Sequence, residues 1–236
     1  MNKRLILAII LLFAWVVIGI GFQISDFENT PQENQDQPNT PQEQQPQPEE
    51  DLPEVAIIID DLGNNFAVES KIKEIDVKLT LAILPFRSNT QKVANYFTQK
   101  ELILHLPLEP MESKYFEEKM LMTEMSNQQI KTEFQVYLNN LNGKVAGVNN
   151  HKGSRFTTNE KAMTSLLQEV KAEDLYFVDS YTLASSVGFK LAKEMSIPTA
   201  KRDIFLDNSK EKEDIEQQLN KLIAEAKEKG SATAIG

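Results

Sequence analysis

The chain has no cysteine, one tryptophan and only two histidines in 236 residues. Without a thiol there is no disulfide, no cysteine nucleophile, no thiolate metal ligand and no cysteine to carry a lipid. The redox compartment stays open, since exported proteins often do without cysteine. No Gly-rich phosphate loop follows the first strand-like run; Asp60-Asp61-Leu62-Gly63-Asn64-Asn65 stands there instead, so a nucleotide-binding fold loses ground. An excess of basic charge is also lacking. Of the net charge of −10, residues 23–54 contribute nine negative charges and Lys3 and Arg4 two positive, leaving the rest near −3. A near-neutral domain with no basic stripe argues against a nucleic-acid partner.

The first 22 residues belong to no globular core. Lys3 and Arg4 precede an uninterrupted apolar run of 18 residues from Leu5 to Phe22, near the minimum for a membrane span. Gly19-Ile20-Gly21 is a poor small-x-small cleavage site, so an uncleaved signal anchor is preferred to a cleaved signal peptide. The charges precede the span, which keeps the N-terminus cytoplasmic and sends the remainder across. The expected location is extracytoplasmic and membrane-anchored, or secreted if the segment is cleaved. Residues 23–53 follow as a linker rich in Pro, Gln and Glu that holds six of the ten prolines. Such a segment buries too little apolar surface to offset the entropy of ordering, and is expected to be a disordered tether. At about 3.1 Å per residue, thirty residues of it reach on the order of 90 Å.

From 54 to 236 short apolar runs alternate with segments of helical period, the pattern of an α/β domain. Strands are expected at 55–59, 78–84, 101–104, 144–148, 175–178, 197–200 and 231–235. Helices are expected at 66–75, 90–99, 127–141, 160–172, 185–195 and 210–229. Ser126 with Gln129 makes a capping box, and Gly230 stands at a helix stop. Residues 110–125 show no period and read as a long loop over one rim. Seven strands with six crossovers fit an open doubly wound sheet or an incomplete barrel.

Polar residues collect at the ends of these runs, where active sites of parallel α/β folds lie. Asp60 and Asp61 end the first run; adjacent residues on a strand point to opposite faces, so one carboxylate can ligate a metal while the other acts as a base from the flank. Alternatively, one of them caps the next helix or sets a turn with Gly63. His105 follows the third run, in Leu104-His105-Leu106-Pro107-Leu108-Glu109-Pro110. It is either a satisfied core histidine or a metal ligand, with Glu109 bracing the imidazole or reaching the metal itself. The fourth run leads into Gly147-Val148-Asn149-Asn150-His151-Lys152-Gly153-Ser154-Arg155-Phe156-Thr157. Here Asn149, Asn150, His151, Ser154 and Arg155 gather amides, an imidazole, a hydroxyl and a guanidinium. Backbone amides near Gly153 and Ser154 can form an oxyanion hole, and Arg155 can contact substrate. Asp179, Arg202 and Asp203, after later runs, serve as supporting salt bridges or as direct participants. Two imidazoles and a carboxylate converging on one rim make a zinc-type site with an open position.

Taken in order, these segments resemble the divergent polysaccharide deacetylase family, a branch of the carbohydrate deacetylase superfamily. The matching pieces are Ile57 to Gly63, Leu79 to Pro85, His105 to Pro110, Gly147 to Thr157, Phe177 to Ser180 and Arg202 to Asn208. The resemblance implies an irregular seven-stranded (β/α) barrel and a divalent metal, zinc by its donor set, held by Asp61, His105 and His151. It implies Asp60 as general base and metal-assisted hydrolysis of an N- or O-acetyl group on a peptidoglycan-like glycan. The superfamily usually draws both histidines from one short motif, whereas His105 and His151 lie on different strands. Family members also continue past Ala-Ile-Gly into a His-Pro that suits a general acid, and this sequence stops at Ala234-Ile235-Gly236. A truncated sequence or an impaired enzyme is therefore expected. Two other readings stay open: an envelope module that binds glycan or a partner protein without turnover, and a metal-dependent hydrolase of esters or phosphodiesters.

Overall fold

A computed structural model describes residues 52–236. The expected membrane helix over 1–22 and nearly all of the expected linker lie outside these residues, and among the described residues no helix is long and apolar enough to cross a membrane. Eight strands alternate with helices except between the sixth and seventh: β1 (Glu54–Leu62), α1 (Phe66–Glu69), β2 (Thr80–Ile83), α2 (Thr90–Tyr96), β3 (Glu101–Leu108), α3 (Asn127–Asn140), β4 (Gly147–Lys152), α4 (Glu160–Ala172), β5 (Tyr176–Asp179), α5 (Gly188–Glu194), β6 (Thr199–Lys201), β7 (Ile204–Phe205), α6 (Lys212–Lys229) and β8 (Ser231–Ile235). All ladders are parallel, in the order β6-β5-β4-β3-β2-β1-β8-β7.

That order requires a curled sheet. β6 and β7 occupy opposite edges, yet only Arg202 and Asp203 separate them. Three Cα steps span at most about 11 Å, whereas the edges of a flat eight-stranded sheet stand about 33 Å apart. The sheet therefore bends into a half-barrel, and the chain crosses between its edges in one dipeptide. Arg202 N still donates to Asp179 O at the end of β5 at 2.9 Å, while Asp203 N donates to Thr233 O on β8 at 2.8 Å. The expected count of seven strands is corrected to eight, because β7 is a two-residue strand with no detectable period.

Strand periodicity sorts the side chains. On the concave face Ile58, Ala82, Ile103, Val178 and Ile235 form a small apolar layer. On the convex face Ile59, Leu81, Ile83, Leu102, Leu104, Val148 and Phe177 join the main core, against Phe134 and Tyr137 of α3 and Leu166 and Leu167 of α4. The expected capping box starts α3, with Ser126 Oγ accepting from Gln129 N, and Gly230 ends α6 at φ 85°. The helix expected at 66–75 is a four-residue α-helix continued by a 3₁₀ turn, Ser70–Glu74.

Two strands run further than expected. β3 continues to Leu108 and β4 to Lys152, paired in register from Ile103↔Gly147 to Leu108↔Lys152. His105 and His151 thus lie within strands rather than just past them. In β3 the strand carries on through His105 into Leu106-Pro107-Leu108, while in β4 the concave positions turn polar at Asn149 and His151, which erases the apolar signal while the ladder continues.

Candidate metal centre

The site sits directly above the concave apolar layer. Two residues along each strand, Asp60 follows Ile58, His105 follows Ile103, and Asn149 follows Gly147 on the same face. His151 stands one step higher still.

Asp60 and Asp61 do not leave β1 in opposite directions, which corrects the strict-alternation expectation. The β1–β2 register shifts between Ile59 and Leu62, and Asp61 adopts a left-handed φ of 56°. A bulge of this kind re-aims a side chain, and Asp tolerates that backbone region better than most residues. Both carboxylates therefore approach one imidazole: His105 Nε2 lies 3.5 Å from Asp60 Oδ2 and 3.3 Å from Asp61 Oδ1. His151 Nδ1 comes within 3.0 Å of Asp61 Oδ1 and 3.1 Å of His105 Nε2. Three ligand-type atoms thus face one another at 3.0–3.3 Å.

These residues fit a divalent ion. A tetrahedral ion with bonds near 2.0–2.1 Å has ligand–ligand edges of about 3.3 Å, close to the separations found. Asp61 Oδ1 is buried and in no well-aligned hydrogen bond, and what faces it is the two imidazole nitrogens, at 3.3 and 3.0 Å. Two nitrogens and one oxygen suit zinc or a similar metal and leave a coordination position open.

Each imidazole is braced from behind. His105 Nδ1 is 2.9 Å from Asn149 Oδ1, and Asn149 Nδ2 donates to Ser180 Oγ at 3.2 Å. Asn150 Oδ1 accepts from Ser180 N at 2.8 Å, and its Nδ2 donates to Lys152 O at 2.9 Å. His151 Nε2 is 3.1 Å from Glu117 Oε1. Glu117 also accepts from Lys152 Nζ at 2.6 Å and pairs with Arg87. Glu69 ties the loop after β1, its carboxylate accepting from Gly63 N at 3.2 Å, Asn64 N at 3.0 Å and Asn65 N at 2.7 Å.

Electrostatics separate the carboxylates. Burial pushes Asp60 up to about 6, against the lowering effect of His105. Burial pushes Asp61 up as well, but the two imidazoles outweigh it and hold this carboxyl well below the usual range. The hydrogen bond with His151, aided by Lys152, holds Glu117 low despite burial. Burial works against a charged His151, yet Asp61 and Glu117 prevail and raise its imidazole. Asp207 lies near enough to share this field, raised by burial and by Asp61.

The other expected site residues stand around this centre. Glu109 bonds neither imidazole; it accepts from Thr123 N at 2.8 Å and Thr123 Oγ1 at 2.7 Å, and lies 3.5 Å from Arg155 Nε. Arg155 is half exposed at the rim, and Ser154 Oγ accepts from Met111 N at 2.9 Å. Asp179 is fully buried and organises the loop before α5, accepting from Tyr181 N, Ser186 Oγ and Phe189 N. Arg202 donates to Ser180 O and Tyr181 O and stacks on Phe205. Asp203 accepts from Thr233 N at 2.9 Å and faces Lys229. Glu117, Glu69 and Arg87 were not anticipated. Glu117 lies in the stretch without period, and nothing in its neighbours ties it to a histidine 34 positions away.

A parallel half-barrel with an Asp-His-His cluster on its C-terminal rim defines an α/β domain with a candidate metal centre. The chain belongs to the divergent polysaccharide deacetylase family, whose model matches residues 57–236. It is 32% identical over 184 residues to the uncharacterized protein YibQ of Escherichia coli K12, covering 77% of this chain and 57% of that protein. It is also 32% identical over 186 residues to an uncharacterized protein of Haemophilus influenzae, covering 77% of this chain and 65% of the relative. The match thus takes in less than two thirds of the length of either relative. The crystal structure of uncharacterized protein ATU2773 from Agrobacterium tumefaciens C58 shares the fold, with a TM-score of 0.69 at 22% identity, covering 81% of this chain and 79% of that one.

Proposed function

We propose that this chain is a metal-dependent hydrolase that removes N- or O-acetyl groups from an extracytoplasmic polysaccharide of peptidoglycan type, tethered to the membrane through residues 1–22. The observation that carries the reading is the meeting of Asp61 Oδ1, His105 Nε2 and His151 Nδ1 within 3.0–3.3 Å, with Asp60 alongside. Family membership supports the carbohydrate part.

Asp61, His105 and His151 would hold the ion, zinc by the donor set. When bound, it supplies Lewis acidity at the scissile carbonyl and to the attacking water. Asp60 Oδ2, beside the ligand cluster but not needed to complete it, accepts the proton of that water as it attacks the acyl carbon. The same carboxyl can return the proton to the leaving nitrogen or oxygen, which balances the reaction as acetate plus a free amine or hydroxyl. Arg155, half exposed on the rim, is available to a substrate hydroxyl or carboxylate.

The test uses the full-length protein, its divalent metal content, and acetate release from an N-acetylated glycan. Asp61→Ala is expected to lose the metal. Asp60→Asn is expected to keep it and lose roughly 10²–10⁴-fold in turnover. A wild-type chain without tightly bound metal, or Asp60→Asn with unchanged turnover, refutes the reading. Bound metal with no acetate release favours a glycan-binding module instead.

A further inference from the structure

We propose that the two histidines serve one ion through different ring nitrogens, His105 through Nε2 and His151 through Nδ1, and that Glu117 is the positioning residue that fixes the second. The inference rests on the metal-dependent reading above.

The asymmetry begins in the sheet. In the β3–β4 register His105 faces Asn149, whereas His151 faces Pro107, two residues further along. The imidazoles therefore start one side-chain layer apart, a rise of about 6.6 Å. To meet one Asp61 oxygen, the lower ring extends its distal nitrogen and the upper ring turns in its proximal one. The separations agree, at 3.3 Å for His105 Nε2 and 3.0 Å for His151 Nδ1.

Hydrogen bonding behind each ring fixes the same choice. The Asn149 amide donates through Nδ2 to Ser180 Oγ, and its Oδ1 faces His105 Nδ1 as an acceptor. His105 thus carries its proton on Nδ1 and keeps the Nε2 lone pair for the ion. His151 is arranged in reverse. An ionised carboxylate only accepts, so Glu117 Oε1, 3.1 Å from Nε2, keeps a proton there. An ion bound between Nδ1 and Asp61 Oδ1, 3.0 Å apart, would take the place of any proton on Nδ1 and leave that lone pair to ligate.

Glu117 is itself held in place. Its Oε1 accepts from Lys152 Nζ, its Oε2 pairs with Arg87, and its side chain is 17% exposed. The loop that carries it is pinned at its base, where Leu121 N donates to Pro107 O and Glu109 N to Leu121 O. The patternless segment between β3 and α3 is thereby part of the metal centre, delivering one carboxylate to the back of one ligand. A carboxylate behind a ligating imidazole orients the ring and raises its basicity, and its loss typically costs about 10–100-fold in metal affinity.

The experiment measures zinc affinity of the full-length protein by chelator competition, together with the ring-nitrogen resonances of ¹⁵N-histidine. Only two histidines are present, so assignment needs only one His→Gln variant. In the zinc-loaded wild type, His105 is expected to show a protonated Nδ1 and His151 a protonated Nε2. Glu117→Ala should weaken zinc binding by about 10–100-fold. Glu117→Gln, which keeps an oxygen acceptor of the same shape, should fall between it and wild type. Zinc bound through the same nitrogen of both rings overturns the inference while leaving the hydrolase reading intact. So does Glu117→Ala with wild-type affinity, or Glu117→Gln as weak as Glu117→Ala, since the latter points to charge alone. A wild-type chain that binds no zinc removes both.

Discussion

Asp61 shows how a single backbone torsion can decide the chemistry of a site. Regular β geometry would have turned its carboxylate to the helix-covered face; a left-handed φ and a register shift bring it to the imidazoles beside Asp60. The Asp-Asp pair was readable as a candidate from its place after an apolar run, but its geometry was not, since nothing in Asp60-Asp61-Leu62 distinguishes a bulge from a regular strand. Gly147 decides a different matter, two residues below Asn149. A Cβ there would lie 2.5 Å from the Tyr176 ring carbons Cδ2 and Cε2, so only glycine lets that ring lie across the concave face. Gly147→Ala is expected to destabilise the fold by about 1–3 kcal/mol in urea unfolding. In a Tyr176→Val background the same change is expected to cost much less, because the two side chains share one contact.

At the scale of elements, the loop between β1 and α1 is shaped by a side chain from the helix it leads into. Glu69 is 3% exposed and collects three successive backbone N–H groups, from Gly63, Asn64 and Asn65. A helix of four residues contributes little stability of its own, so this clasp supplies much of what orders the turn after Asp61. Glu69→Gln, which keeps one acceptor oxygen and loses the charge, is expected to cost about 1–3 kcal/mol by chemical denaturation. The clasp was not legible in the sequence. Period revealed α3, α4 and α6 to within a few residues, because each lays an apolar stripe on the sheet. It could not reveal where β3 and β4 end, since in β3 Pro107 reads as a break and in β4 the concave Asn149 and His151 interrupt the apolar run. Nor could it reveal Glu117, which acts across the fold from a segment with no stripe at all.

At the scale of the whole molecule, two tyrosines set an alkaline limit. Burial, with a hydrogen bond to Glu101, pushes the Tyr176 phenol up on the concave side. Burial, with the charges of Glu133 and Glu117, does the same for Tyr137 on the convex side. Each group binds its proton more tightly folded than unfolded. Their stabilising contribution is therefore complete below the unfolded value of about 10 and declines as pH rises through the higher folded value. Urea midpoints are expected to fall above about pH 10, with a shallower slope in Tyr176→Phe. The alternation of strands and helices in this domain was legible in outline, but the dipeptide crossing between β6 and β7 was not, because a two-residue strand carries no pattern. That crossing has a consequence for association between chains. Strand addition needs a long row of unpaired N–H and C=O groups on an outer strand. Here the outer strands are three and two residues long and belong to one continuous stretch of chain. An eight-stranded parallel sheet built this way offers almost no template on which a second copy could extend it.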